Sequence, residues 1–287
     1  MTAKAPSDLH DIVSIDAHVH IHDCHPLAPM LDHAFAALSA AGRATGGGEN
    51  VRAVLLLSEA EPDDWFTKLA AAAASPSGQD GLATAGSWRF APTGEAVSVT
   101  ARAGDRELLL VAGRQVACAE DLEVLTLCCT GRIPDGLPIG ETLDRARALG
   151  AVAVIPWGPG KWLGARGRLL SRILRQARPG ALHLGDESSR PRFWGEPRHF
   201  AEARRCGLDV LPGTDPLPFA HEATRAGSFG FTTRMDLDPD RPAASLVAHL
   251  RAQAAEIRPF GRPERPVRFV RNQIAMQLRK RRRRRTA

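Results

Sequence analysis

IVSIDAHVHIHDCH, residues 12–25, begins as an apolar run and ends with four histidines and two aspartates inside ten residues. The run 12–19 is too short for a typical helix and is rich in β-branched residues, so it reads as a buried strand. Side chains two apart on a strand share a face, which lets the imidazoles of His18, His20 and His22 converge. A second wholly apolar run, VRAVLLL at 51–57, has the composition of a strand covered on both sides in a parallel sheet. Helical spacing at 27–41, ended by Gly42, separates the two and gives the first βα unit.

The same rhythm returns later. Helices are expected at 62–74, 143–149, 162–177 and 197–206, with strands at 151–155, 181–184 and 208–211. Between the two stretches, 88–90, 96–101, 107–115 and 123–127 read as successive strands joined by tight turns at Thr93-Gly94 and Gly104-Asp105, a mixed or antiparallel meander. Two helices, 242–257 and 266–278, close the chain. Alternating strands and helices over 287 residues predict a distorted (β/α)7–8 TIM-like barrel with this meander inserted. Residues 1–262 would form it, and 263–287 would be an amphipathic helix with a polybasic tail.

Composition narrows the function classes. The net charge is +6, but the RKRRRRR run at 279–285 carries +7, so the remainder stands at −1. A globally basic body built for nucleic acid is not supported; a basic tail is. The five cysteines (24, 118, 128, 129 and 206) form no CxxC pair, against a disulfide framework or zinc ribbon and in favour of a reducing cytoplasm. The first residues lack the apolar core of an export signal. No run reaches the ~18 apolar residues of a membrane span.

In a β/α barrel the chemistry sits at the C-terminal strand ends. His18 and His20 stand at the first such end, and Asp215 stands past the 208–211 strand in a Gly/Pro turn. Together they are the candidate metal ligands, with His22, Asp23, His25 and Glu59 as further donors. The imidazole-carboxylate mixture suits zinc, manganese or iron, and magnesium if carboxylates dominate. Asp186 and Glu187, directly past 181–184, are candidate general bases. Lys161, near the start of a helix, and Arg190 and Arg192 are candidates for gripping a small anionic substrate.

The order of these motifs resembles the polymerase and histidinol phosphatase (PHP) family, within the amidohydrolase-like metal-dependent hydrolases. Asp16-Ala17-His18-Val19-His20 looks like that family's D-x-H-x-H strand. Gly213-Thr214-Asp215 looks like its late G-S-D motif. Gly113-Arg114-Gln115, Glu123-Val124-Leu125 and residues 154–160 are similar to its intervening strands. The resemblance implies a divalent-metal hydrolase. The sequence departs from the pattern at Ser58-Glu59-Ala60, at Gln115 where a glutamate is usual, near Glu123, and at Pro156-Trp157 and Leu217 where histidines are usual. The implied trinuclear ligand set is therefore incomplete, and His22, Asp23, His25, Glu59, Glu120, Asp186 and Glu187 are the nearby groups that could substitute, with Asp186 and Glu187 nearest by their place at a strand end and Glu59 behind them.

Two functions follow as expectations. One is a phosphoesterase or amidohydrolase-like enzyme using metal-activated water. The other is a non-catalytic binding protein with a degenerate metal site. The tail is a third element. Phe269 or Val270, Gln273 or Ile274, and Leu278 fall on one helix side before the basic run, a pattern that fits anionic lipid or nucleic acid.

Overall fold

The computed structural model describes residues 11–47, 51–82, 85–252 and 256–286. Its strands divide between two sheets. The first holds seven strands in the order β12-β11-β1-β2-β5-β4-β3. These are β1 (Asp11–Val19), β2 (Val51–Leu57), β3 (Arg89–Pro92), β4 (Ser98–Ala103), β5 (Arg106–Val111), β11 (Gly230–Met235) and β12 (Arg258–Phe260). The second holds five in the order β10-β9-β8-β7-β6. These are β6 (Gly113–Ala117), β7 (Glu123–Leu127), β8 (Val152–Pro156), β9 (His183–Glu187) and β10 (Val210–Gly213). Both are mixed: β1-β2-β5 and β8-β9-β10 run parallel, and the remaining pairings are antiparallel.

Among the described residues the expected TIM-like barrel is not formed. A closed barrel needs β10 to ladder onto β1, but both edges of β1 are already used, by β2 and by antiparallel β11. Likewise β2 is paired on both sides, by β1 and β5, so β6 meets its end only through an isolated Glu59–Arg114 bridge. The stretch expected as one strand at 107–115 breaks at Ala112, and that break carries the chain from one sheet to the other.

The inner faces share a core of Val13, Ile15, Val54, Leu56, Val111, Leu125, Val154, Leu211 and Phe231. Outside the larger sheet lie α1 (Leu27–Ala44) and α2 (Trp65–Ala74), which bury Leu31, Leu38, Phe66 and Leu69. Outside the smaller sheet lie α3 (Ile139–Ala148), α4 (Gly164–Gln176) and α5 (Arg198–Arg205), around Leu170, Leu174 and Phe200. Both outer layers obey the helical spacing of their apolar residues. Helix α6 (Pro242–Arg251) adds Ala243, Leu246 and Leu250 to the core between the sheets. Its first free backbone N–H groups, at Ala243 and Ala244, donate to the Glu95 carboxylate. The last helix, α7 (Pro266–Thr286), runs across the side chains described next. Among the described residues no helix is long and apolar enough to cross a membrane.

Candidate metal centre

Where the two sheets meet, close backbone approach replaces a ladder. A Cβ on Gly213 would lie 2.3 Å from the backbone nitrogen of His18, and one on Gly113 would lie 2.3 Å from the carbonyl of Leu57. Only glycine fits at either seam. Single hydrogen bonds then stitch the sheets together. The Asp215 N–H donates to the His18 carbonyl at 2.8 Å, and the Gln115 N–H to the Glu59 carbonyl at 2.9 Å.

Asp16 anchors this region. Its fully buried carboxylate accepts from the Thr214 N–H (2.8 Å), the Thr214 hydroxyl (2.6 Å), the Gly227 N–H (2.9 Å) and the His18 N–H (3.3 Å). Burial pushes its carboxyl up to about 7, and the hydrogen bonds pull the other way. With its oxygens so engaged, the aspartate of the D-x-H-x-H stretch clamps β1 to the turn after β10.

That clamp aims His18, near the end of β1, and His20, one residue past it, at the turn holding Asp215. Asp215 sits in the left-handed region at φ 46°, which brings its carboxylate back over β1. The ligand atoms of His18, His20 and Asp215 all lie within 4.8 Å of one another. The Nε2 atoms of His18 and His20 are 3.0 Å apart, and the Gln115 Oε1 lies 3.1 Å from each. Asp215 Oδ1 stands 3.8 and 3.6 Å from the same two nitrogens. Four donor atoms surrounding an ion at 2.0–2.1 Å in tetrahedral array would be about 3.3 Å apart. The observed spacings straddle that value, so the set fits a divalent cation. Gln115 is the residue that sequence reasoning missed as a donor. Its signal was its place in the motif, where the resembled family carries a glutamate.

The other expected residues fall into two groups. A cavity of about 310 Å³ beside the cluster is lined by His22, Glu123, Lys161, Glu187 and Ser189 as well as His18, His20, Gln115 and Asp215. His22 stacks on His20 and lies 3.5 Å from Asp63. Lys161 is ion-paired with Glu123. The central meander thus supplies Gln115 and Glu123 to the cavity wall. Glu187 Oε1 stands 3.5 Å from His18 Nδ1. Burial and then the neighbouring Asp215 charge raise the Glu187 carboxyl well above the usual range. Burial opposes ionisation of Asp215 too, but His18, His20 and Lys161, with a hydrogen bond from Glu187, hold it below its ordinary value. The proton of this pair therefore resides on Glu187. Burial also pushes the His20 imidazole down to about 3, leaving it neutral, the form that ligates a metal.

The second group is occupied elsewhere. The expected strand at 181–184 is β9 at His183–Glu187, so Asp186 and Glu187 are strand neighbours on opposite faces. Asp186 makes a two-pronged pair with Arg190 at 2.7 and 2.8 Å, which also fixes Arg190. Arg192 donates to the Pro263 carbonyl. Glu59 accepts the Phe66 N–H in the first turn of α2 and lies 3.7 Å from Arg114. Glu120 accepts the Ile139 N–H at the start of α3. His25 pairs with the Leu217 carbonyl, and Asp23 is an exposed partner of Lys68. None of these lines the cavity.

No known protein-family description matches the chain, and no curated protein does. Among solved structures it is similar to PsfC from Pseudomonas syringae, at 16% identity and a TM-score of 0.52, over 93% of this chain and 98% of that one. It also matches the lesion-specific endonuclease PfuEndoQ from Pyrococcus furiosus, at 9% identity and a TM-score of 0.48, over 86% of this chain and 57% of that one. The likeness to PsfC extends over nearly the whole of both chains and establishes a shared fold.

Proposed function

We propose that the protein is a metal-dependent hydrolase of the PHP type, with a divalent cation held by His18, His20, Asp215 and Gln115. The carrying observation is the donor set itself. The two Nε2 atoms and the Gln115 Oε1 all lie within 3.1 Å of one another. The amide oxygen only accepts, and each neutral imidazole offers at most one N–H. A cation on which all four groups converge as lone-pair donors satisfies them together. When bound, it would polarise the scissile bond and acidify water.

The chain's own groups divide the remaining work. Glu187, kept protonated by burial, faces the cavity as general acid for the leaving group. Asp215, ionised beside it, supplies the negative charge of the ligand set. Lys161, held by Glu123, presents a cation to an anionic substrate. Trp157, Pro216 and Pro218 wall the cavity and limit water. Two imidazoles, one amide and one carboxylate make a donor set of intermediate hardness, which favours zinc, manganese or iron over magnesium. The substrate class is a phosphoester or an amide-like C–N bond.

Elemental analysis of protein purified without an affinity tag tests the reading, together with a screen of phosphoesters and cyclic or linear amides. Close to one equivalent of metal, lost in His20→Ala, and turnover lost in Glu187→Gln with metal retained, are expected. Stoichiometric metal without turnover on any substrate would instead favour a non-catalytic binding protein. Absence of metal after reloading would overturn the proposal.

A further inference from the structure

Helix α7 has two faces with different uses. Its inner face lies over the cavity, which Asn272, Gln273 and Met276 help to line. Ion pairs and hydrogen bonds fasten it there. Arg268 and Asn272 reach the buried Glu222, Arg268 also pairs with Glu264, and Arg279 donates to the Pro218 carbonyl. On the outer face, Val267, Val270, Ile274 and Leu278 are 83, 52, 56 and 51% exposed. Spaced by three and four residues, they form one continuous apolar stripe, opposite the side that meets the cavity. Next to the first turns of α7, Phe193 is 63% exposed and packs edge-on against Phe269, and Trp194 is 41% exposed. The stripe runs directly into the basic segment 279–285.

An exposed apolar stripe of four branched side chains on a clamped helix is costly in water unless something covers it. The adjoining sevenfold positive charge specifies an anionic cover. Nucleic acid would use the arginines but leave the stripe unsatisfied. A second copy would cover the stripe and leave the basic run without a counter-charge. A bilayer interface with anionic headgroups satisfies both, with apolar side chains at the acyl boundary, arginines at phosphates and aromatics alongside. We infer that the outer face of α7, with the basic run that follows it, docks on an anionic lipid surface. This reading is independent of the metal and of catalysis.

The test is co-sedimentation of the full chain with vesicles of phosphatidylcholine alone, and with vesicles of equal parts phosphatidylcholine and phosphatidylglycerol. Binding to the anionic vesicles should exceed that to neutral ones by at least about tenfold and weaken with salt. The pair Ile274→Asp with Leu278→Asp should abolish it, and so should Arg282→Gln with Arg283→Gln and Arg285→Gln. Ile274→Leu should keep it; Ile274 and Leu278 lie outside the cavity wall. Equal binding to both vesicles, or anionic binding unaffected by the aspartate pair, would overturn the inference. So would a stripe-dependent dimer in light scattering without vesicle binding. Tight oligonucleotide binding indifferent to Ile274 and Leu278, again without vesicle binding, would transfer the tail to nucleic acid.

Discussion

Gln115 decides the character of the donor cluster because it contributes an oxygen without contributing charge. Its amide touches both imidazoles at 3.1 Å, so removing it leaves two nitrogens and one carboxylate. Gln115→Leu should weaken divalent-metal binding by at least about tenfold, equivalent to about 1.4 kcal/mol. Gln115→Glu should strengthen binding, most for manganese, since an added carboxylate favours harder ions. Competition with a chromophoric chelator measures both; an unchanged affinity in the leucine variant would reduce Gln115 to a hydrogen-bond partner of the imidazoles. A different buried residue, His183, sets an acid limit on the fold. Among the described residues its ring nitrogens make no hydrogen bond, with Nδ1 3.5 Å from the Asp209 carboxylate, and burial pushes its imidazole down to about 4. The folded chain therefore keeps it neutral, while the unfolded chain takes up a proton near the ordinary 6.5. The resulting contribution is intact above about pH 6.5 and is lost as pH falls toward 4, by about 3 kcal/mol in all. His183→Gln should flatten that part of the pH profile of urea midpoints, and a profile parallel to the wild type would show that the imidazole does not titrate this way.

The seams between elements depend on two glycines that no polar or apolar pattern marks out. Neither Gly113 nor Gly213 is in the left-handed region, so the demand on them is purely steric. Gly213→Ala would drive a Cβ into the His18 backbone, which cannot yield as a side-chain end would. We expect a cost of about 1–3 kcal/mol and, because His18 must shift, loss of metal at concentrations that saturate the wild type. Denaturant midpoints and metal content check this; a fully loaded, equally stable alanine variant would mean that β10 does not press on β1. The same elements show how far local sequence reaches. Strands β1, β2, β8 and β10 announce themselves by short apolar runs, because each is buried on both faces. So do the convergence of His18 and His20, fixed by a period of two, and the place of Asp215 past a strand end. The break at Ala112 was not legible, since nothing in Leu110-Val111-Ala112-Gly113 differs locally from one continuous strand. Strand β11, GFTTRM, was missed as well, and it is the strand that takes the free edge of β1 and prevents closure. Pairing partners far apart in the chain, rather than propensity, decide between a barrel and two sheets. Asp186 and Glu187 were indistinguishable until the register of β9 put them on opposite faces.

In the molecule as a whole, the donor cluster stands where the ladder between the two sheets is missing. His18 and His20 come from the end of the seven-stranded sheet, and Gln115 and Asp215 from the five-stranded one. A cation drawing on all four would tie together two sheets that are otherwise joined at this end by single backbone bonds and the Asp16 clamp. Metal should therefore act as a structural fastener as well as a reagent. At a free-ion concentration a hundredfold above its Kd, binding adds about 2.7 kcal/mol to the folded state. For a chain of this length that corresponds to a rise in Tm on the order of 5 °C or more. Chelation should remove the increment in the wild type and have no effect in His20→Ala, which would already melt at the lower temperature. The loss should also be local. Amide exchange should accelerate first at Asp215, Glu59 and Gln115, whose N–H groups make the inter-sheet bonds, and not at the centres of β1 or β8, which are laddered on both sides. Uniform acceleration across both sheets, or a Tm indifferent to chelation in metal-loaded protein, would show that the ion is not shared between them.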